Sequence, residues 1–366
     1  MSPVHSIKST AKKFLRRVGA KPPICEDIAA WARAREISAL DVSPPVHDEF
    51  FPISQEDNAA KQVLDYHLAE YQRPQSLVVL KETRVRDEVG FVFLSDGSVC
   101  EQGTWFRPYL VEHRAYYAYF RQKQLIGGDV FSLLGVFSEG FFHWFHDTLP
   151  RLLVALPHLP KGVRFLIHHQ PRDYQLDSLL ALGITQESLV YQQEKIDSVC
   201  ERLWFITPHG NAVFGGGATL RDLACRIRRA NTVPPRVSDK RIYISRSKAS
   251  RSVVNETAIL PILQEHGFEL VHMEDLAFSE QVKLCASVKI MIGAHGAGLT
   301  NLLYCDQGVT IGEIANIDVF PFYLGMARQL GHQYMRFTAN KSIDEKLEVD
   351  VDEFEKWLAQ VVSNSL

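Results

Sequence analysis

The chain has 366 residues, 46% of them hydrophobic and 23% charged, with a formal net charge of -3. That is enough length for two full cores at an ordinary globular composition, and the near-neutral balance argues against a chain drawn to nucleic acid by bulk charge. The six cysteines (25, 100, 200, 225, 285 and 305) form no C-x-x-C pair, so zinc ribbons and dithiol redox motifs have no basis here, and the usage fits a reducing compartment.

Charge is uneven at the start. Lys8, Lys12, Lys13, Arg16, Arg17 and Lys21 come without an acid, and an acidic stretch including Glu26, Asp27 and Glu36 follows. If residues 7–18 are helical, Ile7, Ala11, Phe14, Leu15 and Val18 share one face. That pattern suits a solvated basic tail or a peripheral contact with a membrane surface. No run of about 18 apolar residues occurs. No apolar stretch follows the basic start, so neither a spanning helix nor a signal peptide is expected. The expected location is cytoplasmic, with contact through 7–18 at the inner face of a membrane as the variant.

Residues 1–60 read as a poorly ordered start, and an N-terminal extension is expected over 1–75. Short apolar runs at 77–80, 91–94 and 130–134 predict strands, with a turn at Ser95-Asp96-Gly97-Ser98. A helix is expected at 140–156, a strand at 163–167, a helix at 174–182, a strand at 202–206 and a helix at 218–230. Pro234-Pro235 then marks a linker, which divides a domain over 76–235 from one over 236–366. The second half is regular. Strands at 241–244, 268–271, 290–292 and 309–314 alternate with helices at 255–266 and 278–286 and one after the glycine turn, and a terminal helix covers 352–362. This alternation predicts a parallel, doubly wound α/β sheet with its ligand outside the carboxyl ends of the strands.

Three stretches could carry chemistry. Gly293-Ala294-His295-Gly296-Ala297-Gly298-Leu299-Thr300-Asn301 follows an apolar strand and opens a helix. Glycines permit close backbone approach, and helix-start N–H groups suit a phosphate. The first strand of the second half ends in Ser245-Arg246-Ser247-Lys248-Ala249-Ser250-Arg251, which sets cations at the ligand crevice. In Phe141-Phe142-His143-Trp144-Phe145-His146-Asp147-Thr148-Leu149-Pro150-Arg151, helical geometry puts His143, Asp147 and Arg151 on one face, with His146 off it and Pro150 kinking or ending the helix. A His–carboxylate pair suits a general base, and equally a hydrogen-bonded core histidine.

These residues resemble glycosyltransferase family 61. The resemblance rests on His143-Trp144, Asp147, Leu149-Pro150-Arg151-Leu152, Ser245-Arg246…Arg251…Asn255-Glu256 and Gly293–Asn301, and spans roughly 130–320. Where family members often carry Asn three residues before the histidine, this chain has Gly140. The resemblance implies a GT-B-like fold, two Rossmann-like domains facing a cleft, and inverting transfer from a nucleotide sugar, UDP-linked in the favoured reading. It implies no obligatory metal or other cofactor. The acceptor is a glycan or polysaccharide hydroxyl. By match, 76–235 is the acceptor-side domain and 236–366 the nucleotide-sugar domain. His143 and Asp147 would be catalytic, with Arg151 on the acceptor side or structural. Arg246, Arg251, Glu256, His295, Gly296, Ala297, Gly298, Leu299 and Asn301 would be donor-binding, with Glu313 reaching the ribose or base.

Rival readings meet specific obstacles. A nicotinamide enzyme wants G-x-G-x-x-G after the first strand, where this chain has Ser245–Arg251. A metallohydrolase on His143, His146 and His168-His169 lacks the i, i+4 histidine pair of helical zinc sites. The lone D-x-D, Asp350-Val351-Asp352, precedes the terminal helix and suits capping. A non-catalytic nucleotide- or sugar-binding protein with the same fold is the remaining alternative.

Overall fold

The computed structural model describes residues 21–43, 62, 75–104, 110–111, 116, 121–207, 216–233, 239–249, 251–341 and 346–365. The basic segment 7–18, Pro44-Pro45, Pro52, Pro234-Pro235 and Ser250 lie outside them.

The first sheet holds β1 (Ile24–Cys25), β2 (Ala39–Ser43), β3 (Gln75–Arg86), β4 (Phe91–Phe93), β5 (Val99–Cys100), β6 (Gln122–Ser132), β7 (Arg164–Ile167), β8 (Leu189–Tyr191) and β9 (Ile196–Ile206). Their order is β1-β5-β4-β3-β9-β6-β7-β8, with β2 also on β3. The strands β9, β6, β7 and β8 run parallel to one another, whereas β3 is antiparallel to β9, β4 and β2. Only part of this sheet therefore has the Rossmann-like parallel pattern expected of the first half. The extension expected over 1–75 is also corrected, because β1 and β2 are strands of this sheet and the helix Ile28–Arg33 packs its apolar face beneath it. Asp27 caps that helix by accepting from the Ala30 N–H.

The second sheet is all parallel: β10 (Lys240–Ile244), β11 (Phe268–Val271), β12 (Val288–Ala294), β13 (Thr310–Ala315) and β14 (Gln333–Thr338), in the order β11-β10-β12-β13-β14. The chain winds one way from β10 to β11 and the other way from β12 onward. The carboxyl ends of β10 and β12 thus flank the topological switch point, where a crevice opens in such sheets. The helices Glu256–Glu265 and Val351–Ser363 cover one face, placing Ile259, Leu263, Phe354 and Leu358 against Tyr243, Ile290, Ile292 and Ile314. Asp350 caps the terminal helix through the Glu353 N–H, so this aspartate of the D-x-D is used as a cap. The helix Phe322–Leu330 and strand β14 were not read from sequence, where β13 ended the pattern. Among the described residues no helix is long and apolar enough to cross a membrane.

The two sheets share one apolar layer. A single buried cluster joins Phe131, Phe165 and Ile167 of the first sheet to Ile242, Ile244, Met291 and Ile311 of the second. Between them lie Leu149 and Leu152 of one helix, Leu220, Leu223 and Ile227 of Gly217–Ala230, and Leu299 and Leu302 after the glycine turn. At its centre Phe145 stacks on Phe278 with ring centroids 5.3 Å apart and meets the Tyr304 ring edge-on at 5.9 Å. Cys285 and Cys305 are buried in the same cluster as small core residues.

Phe145 is fully buried where the two halves meet. Phe145→Ala should cost about 3–5 kcal/mol, and urea unfolding followed by Trp fluorescence and by far-UV circular dichroism should give one coincident transition. Separate transitions for the two halves would show that the layer does not couple them.

Candidate active site

The segment after Gly140 is helical, with an unexpected change of pitch. It runs as α-helix over Phe141–His143, as a π turn over Trp144–Thr148 and as α-helix again over Leu149–Ala155. Pro150 has no N–H for the His146 carbonyl, and its ring crowds that group. The wider turn relieves both, so Pro150 neither ends nor breaks the segment. Such π turns are frequent at functional sites.

The consequence is an imidazole on each side of one carboxylate. His143 Nδ1 lies 2.7 Å from Asp147 Oδ2, and His146 Nδ1 lies 2.8 Å from Asp147 Oδ1. An ionised carboxylate only accepts hydrogen bonds, so both Nδ1 atoms carry the proton. Each ring is then left with Nε2 as its proton-accepting atom. Burial acts to raise the Asp147 pKa, but the hydrogen bonds from His143 and His146 outweigh it and hold the carboxyl below its ordinary value. His146 was set aside in the sequence because regular 3.6-residue pitch turns it away. In the structure it is buried, stacked on Phe142 at 4.8 Å with a 12° interplanar angle, and its Nε2 has no hydrogen-bond partner. Arg151 donates through Nε to the Asp147 carbonyl at 3.3 Å.

On the other side of the aromatic layer, the glycine turn leads into a 3-10 helix, Ala297–Tyr304, instead of the expected α-helix. His295 Nδ1 is 2.5 Å from Glu313 Oε1, and the Tyr334 hydroxyl donates to Glu313 Oε2 at 2.5 Å. Glu313 is 1% exposed with both oxygens engaged inside the protein. It orients His295, and it does not reach outward toward a ribose or base. The Tyr323 hydroxyl donates to the Gly296 carbonyl at 2.6 Å and holds the turn. Gly298 packs on Ile244, where an added Cβ would come within 3.0 Å of Cγ2. Leu299 and Asn301 are buried, and Asn301 Nδ2 donates to Gly298 O and Gln281 Oε1 at 3.1 Å each. These two residues build the turn from within.

Arg246 lies directly over this turn. A Cβ on Gly296 would fall 1.7 Å from an Arg246 guanidinium nitrogen, so only glycine admits the side chain there. Arg246 Nε donates to the Arg251 carbonyl at 3.3 Å. Burial first, then the neighbouring Arg251 charge, hold the Arg246 pKa down. Among the described residues neither arginine forms an ion pair, whereas Lys248 is paired with Asp275 and Arg228 with Asp306. Glu256 accepts from the Tyr243 hydroxyl and from Ser245 Oγ at 2.9 Å each, so it anchors the strand end that carries Arg246.

Aromatic rings join the two sides. Phe142 lies 5.8 Å from Tyr323 and 5.1 Å from Phe322, and His295 lies 5.3 Å from Tyr323. Two rings, Phe142 and Tyr323, thus connect His143 to His295, although some 150 residues separate the two histidines in sequence. No group of three or more His, Cys, Asp or Glu side chains arranged to hold a metal occurs among the described residues.

Residues 141–312 match the profile of the family described as Glycosyltransferase 61. Over this region the chain is similar to glycosyltransferase family 61. The chain is also similar to proteins named EGF domain-specific O-linked N-acetylglucosamine transferase. That of Drosophila melanogaster is 34% identical over 104 residues, 28% of this chain and 20% of that protein. That of Gallus gallus is 30% identical over 105 residues, 27% of this chain and 20% of that protein. That of Xenopus laevis is 28% identical over 141 residues, 36% of this chain and 27% of that protein. The likeness thus covers about a fifth to a quarter of those relatives' length, and the family profile takes in both the His143–Asp147 segment and the glycine turn.

Because the folded Asp147 carboxyl sits below its unfolded value, it contributes stability above about pH 4 that is lost as pH falls through the folded pKa. His146→Phe removes one of the two hydrogen bonds that hold it down. Acid unfolding of this variant, followed by circular dichroism, should begin at higher pH than in the wild type. An unchanged acid midpoint would mean that His146 does not stabilise the carboxylate.

Proposed function

We propose that this protein is an inverting, metal-independent glycosyltransferase. In this reading it moves a sugar from a UDP-linked donor to a hydroxyl of a glycan or polysaccharide acceptor. The two halves act as the acceptor and donor sides of a GT-B-like arrangement. The observation that carries the reading is the half-buried Arg246 guanidinium over Gly296 at the switch point, with Arg251 beside it and neither in an ion pair among the described residues. Cations there suit a diphosphate.

The chemistry then divides between the two sides. Asp147 orients His143, whose Nε2 takes the proton of the acceptor hydroxyl. The acceptor oxygen forms a bond to the anomeric carbon from the face opposite the leaving group, which inverts it. The bond from that carbon to the diphosphate oxygen breaks, and its electron pair leaves on the phosphate. Arg246, Arg251, His295 and the N–H groups that open the Ala297–Tyr304 turn stabilise that charge, with the cation supply replacing a metal. The name of the relatives, O-linked N-acetylglucosamine transferases, makes a nucleotide-linked N-acetylglucosamine the first donor to assay. A cytoplasmic setting, with membrane contact through residues 7–18, accompanies this reading.

Calorimetric titration with UDP, GDP, CDP and dTDP, with and without EDTA, tests the donor site. Arg246→Ala and Gly296→Ala should each weaken nucleoside diphosphate binding about tenfold or more, since a charge-assisted hydrogen bond contributes about 1.5–3 kcal/mol. His143→Ala and Asp147→Asn should keep that affinity within about twofold while lowering kcat about 10²–10⁴-fold. Unaltered affinity in Arg246→Ala would displace the donor site. Turnover abolished by EDTA would overturn metal independence.

A further inference from the structure

A cavity of about 460 Å³ lies away from the crevice at the switch point. It opens between the helix Gly217–Ala230 and the connections that enter β13 and β14, which contribute Gln307 and His332. The strands of this sheet are parallel, so both connections sit at its amino end, opposite the carboxyl ends that carry Arg246 and His295. The volume is ordinary for a small-molecule pocket, which usually measures about 300–1,000 Å³ and combines apolar surface with a few polar groups. Leu303 and Leu330 supply apolar surface here.

The polar groups are of two kinds. Arg221, Arg228 and Arg229 line the cavity and no carboxylate does. Arg228 pairs with Asp306 at 2.6 Å, and Arg221 donates to the Gln329 carbonyl. Arg229 is exposed and forms no hydrogen bond or ion pair among the described residues. The other group is His332, which is 1% exposed and forms part of the cavity wall. Its Nε2 lies 3.0 Å from the Leu302 carbonyl, so Nε2 carries the proton and Nδ1 is left as an acceptor. That Nδ1 has no partner. Burial pushes the His332 pKa down to about 4, so the ring is neutral near pH 7 and the Nδ1 lone pair stays open. A buried acceptor without a donor is destabilising, and native structures leave few of them. Guanidiniums suit a phosphate or carboxylate, and the imidazole acceptor suits a hydroxyl. We propose that this cavity binds a small hydroxylated anion, a sugar phosphate or sugar acid, with its acid group on Arg229 and Arg228 and a hydroxyl donated to His332 Nδ1. The site is separate from the proposed donor crevice and does not depend on the transferase reading.

Cys225 supplies a readout that needs no turnover, because it lines the cavity and is exposed while the other five cysteines are buried. Its modification by N-ethylmaleimide, an uncharged reagent, would be followed by peptide mass spectrometry on the full chain. The probes are glucose 6-phosphate, glucuronate, sulfate and methyl β-D-glucopyranoside, and the concentration giving half-protection reads the affinity. Glucose 6-phosphate or glucuronate should protect Cys225, and the stronger of the two names the acid group. The neutral glucoside should not protect, and sulfate, which has no hydroxyl for His332, should bind about fivefold more weakly or worse. Arg229→Ala should weaken the protecting anion about tenfold. His332→Gln, whose amide N–H can still serve the Leu302 carbonyl, should weaken it about fivefold. If that buried change lowers the melting temperature, the exposed Arg229→Ala variant still decides. Protection by neither sugar anion would overturn the proposal, as would protection unaltered in Arg229→Ala or equal protection by sulfate. Displacement of the anion by UDP would also overturn it, since the probe would then occupy the donor crevice. Failure of wild type to bind any nucleoside diphosphate would strike the transferase reading and leave the Cys225 result standing.

Discussion

The aromatic layer between the two sheets is the constraint on which the site depends. Phe142 and Phe145, from one half, pack against Phe278, Tyr304, Phe322 and Tyr323, from the other. Large rings buried on both sides leave little freedom to slide, because a close-packed interior loses contact energy with small displacements. The same residues bracket the polar groups. Phe142 stacks on His146, and Tyr323 holds the Gly296 carbonyl while lying against the His295 ring. Packing that stabilises the fold also fixes the placement of both His–carboxylate pairs.

Both pairs use the same electrostatic device. A buried carboxylate fixes the tautomer of its histidine by accepting from Nδ1, which directs the proton chemistry to Nε2. The two carboxylates differ in what else they bind. Asp147 takes a second imidazole, whereas Glu313 takes a tyrosine hydroxyl and lies almost fully buried. By contrast, Arg246 over Gly296 and Arg251 beside it form no ion pair with a carboxylate among the described residues. In the proposed reading the carboxylates orient imidazoles and the guanidiniums take an anion, a division that suits proton abstraction on one side and leaving-group stabilisation on the other.

Much of the framework was legible from residue order. The alternation from Lys240 onward specified a parallel sheet because period-2 and period-3.6 patterns succeed one another there with short connections. The glycine turn and the basic strand end stood out by composition, and both lie at the switch point. Less was legible in the first half, where β3 and β9 are long strands whose polar residues interrupt the apolar runs. Their antiparallel pairing depends on partners distant in sequence, and it also takes in β1 and β2 from a stretch read as an extension.

Sequence alone determined which chemical groups are present and how each is spaced along its own element: His143 and Asp147 one turn apart, Arg246 at a strand end, His295 within glycines. Those are local properties, set by backbone pitch and residue type. Tertiary structure decided what each group does. It turned His146 onto Asp147 through a π turn, buried Glu313 against His295, tied Glu256 to Tyr243 and Ser245, and laid Arg246 over Gly296. The physical reason is that a side chain's role follows from the partners that burial forces upon it. Those partners come from strands and helices whose meeting is a property of the shared core and not of any one segment.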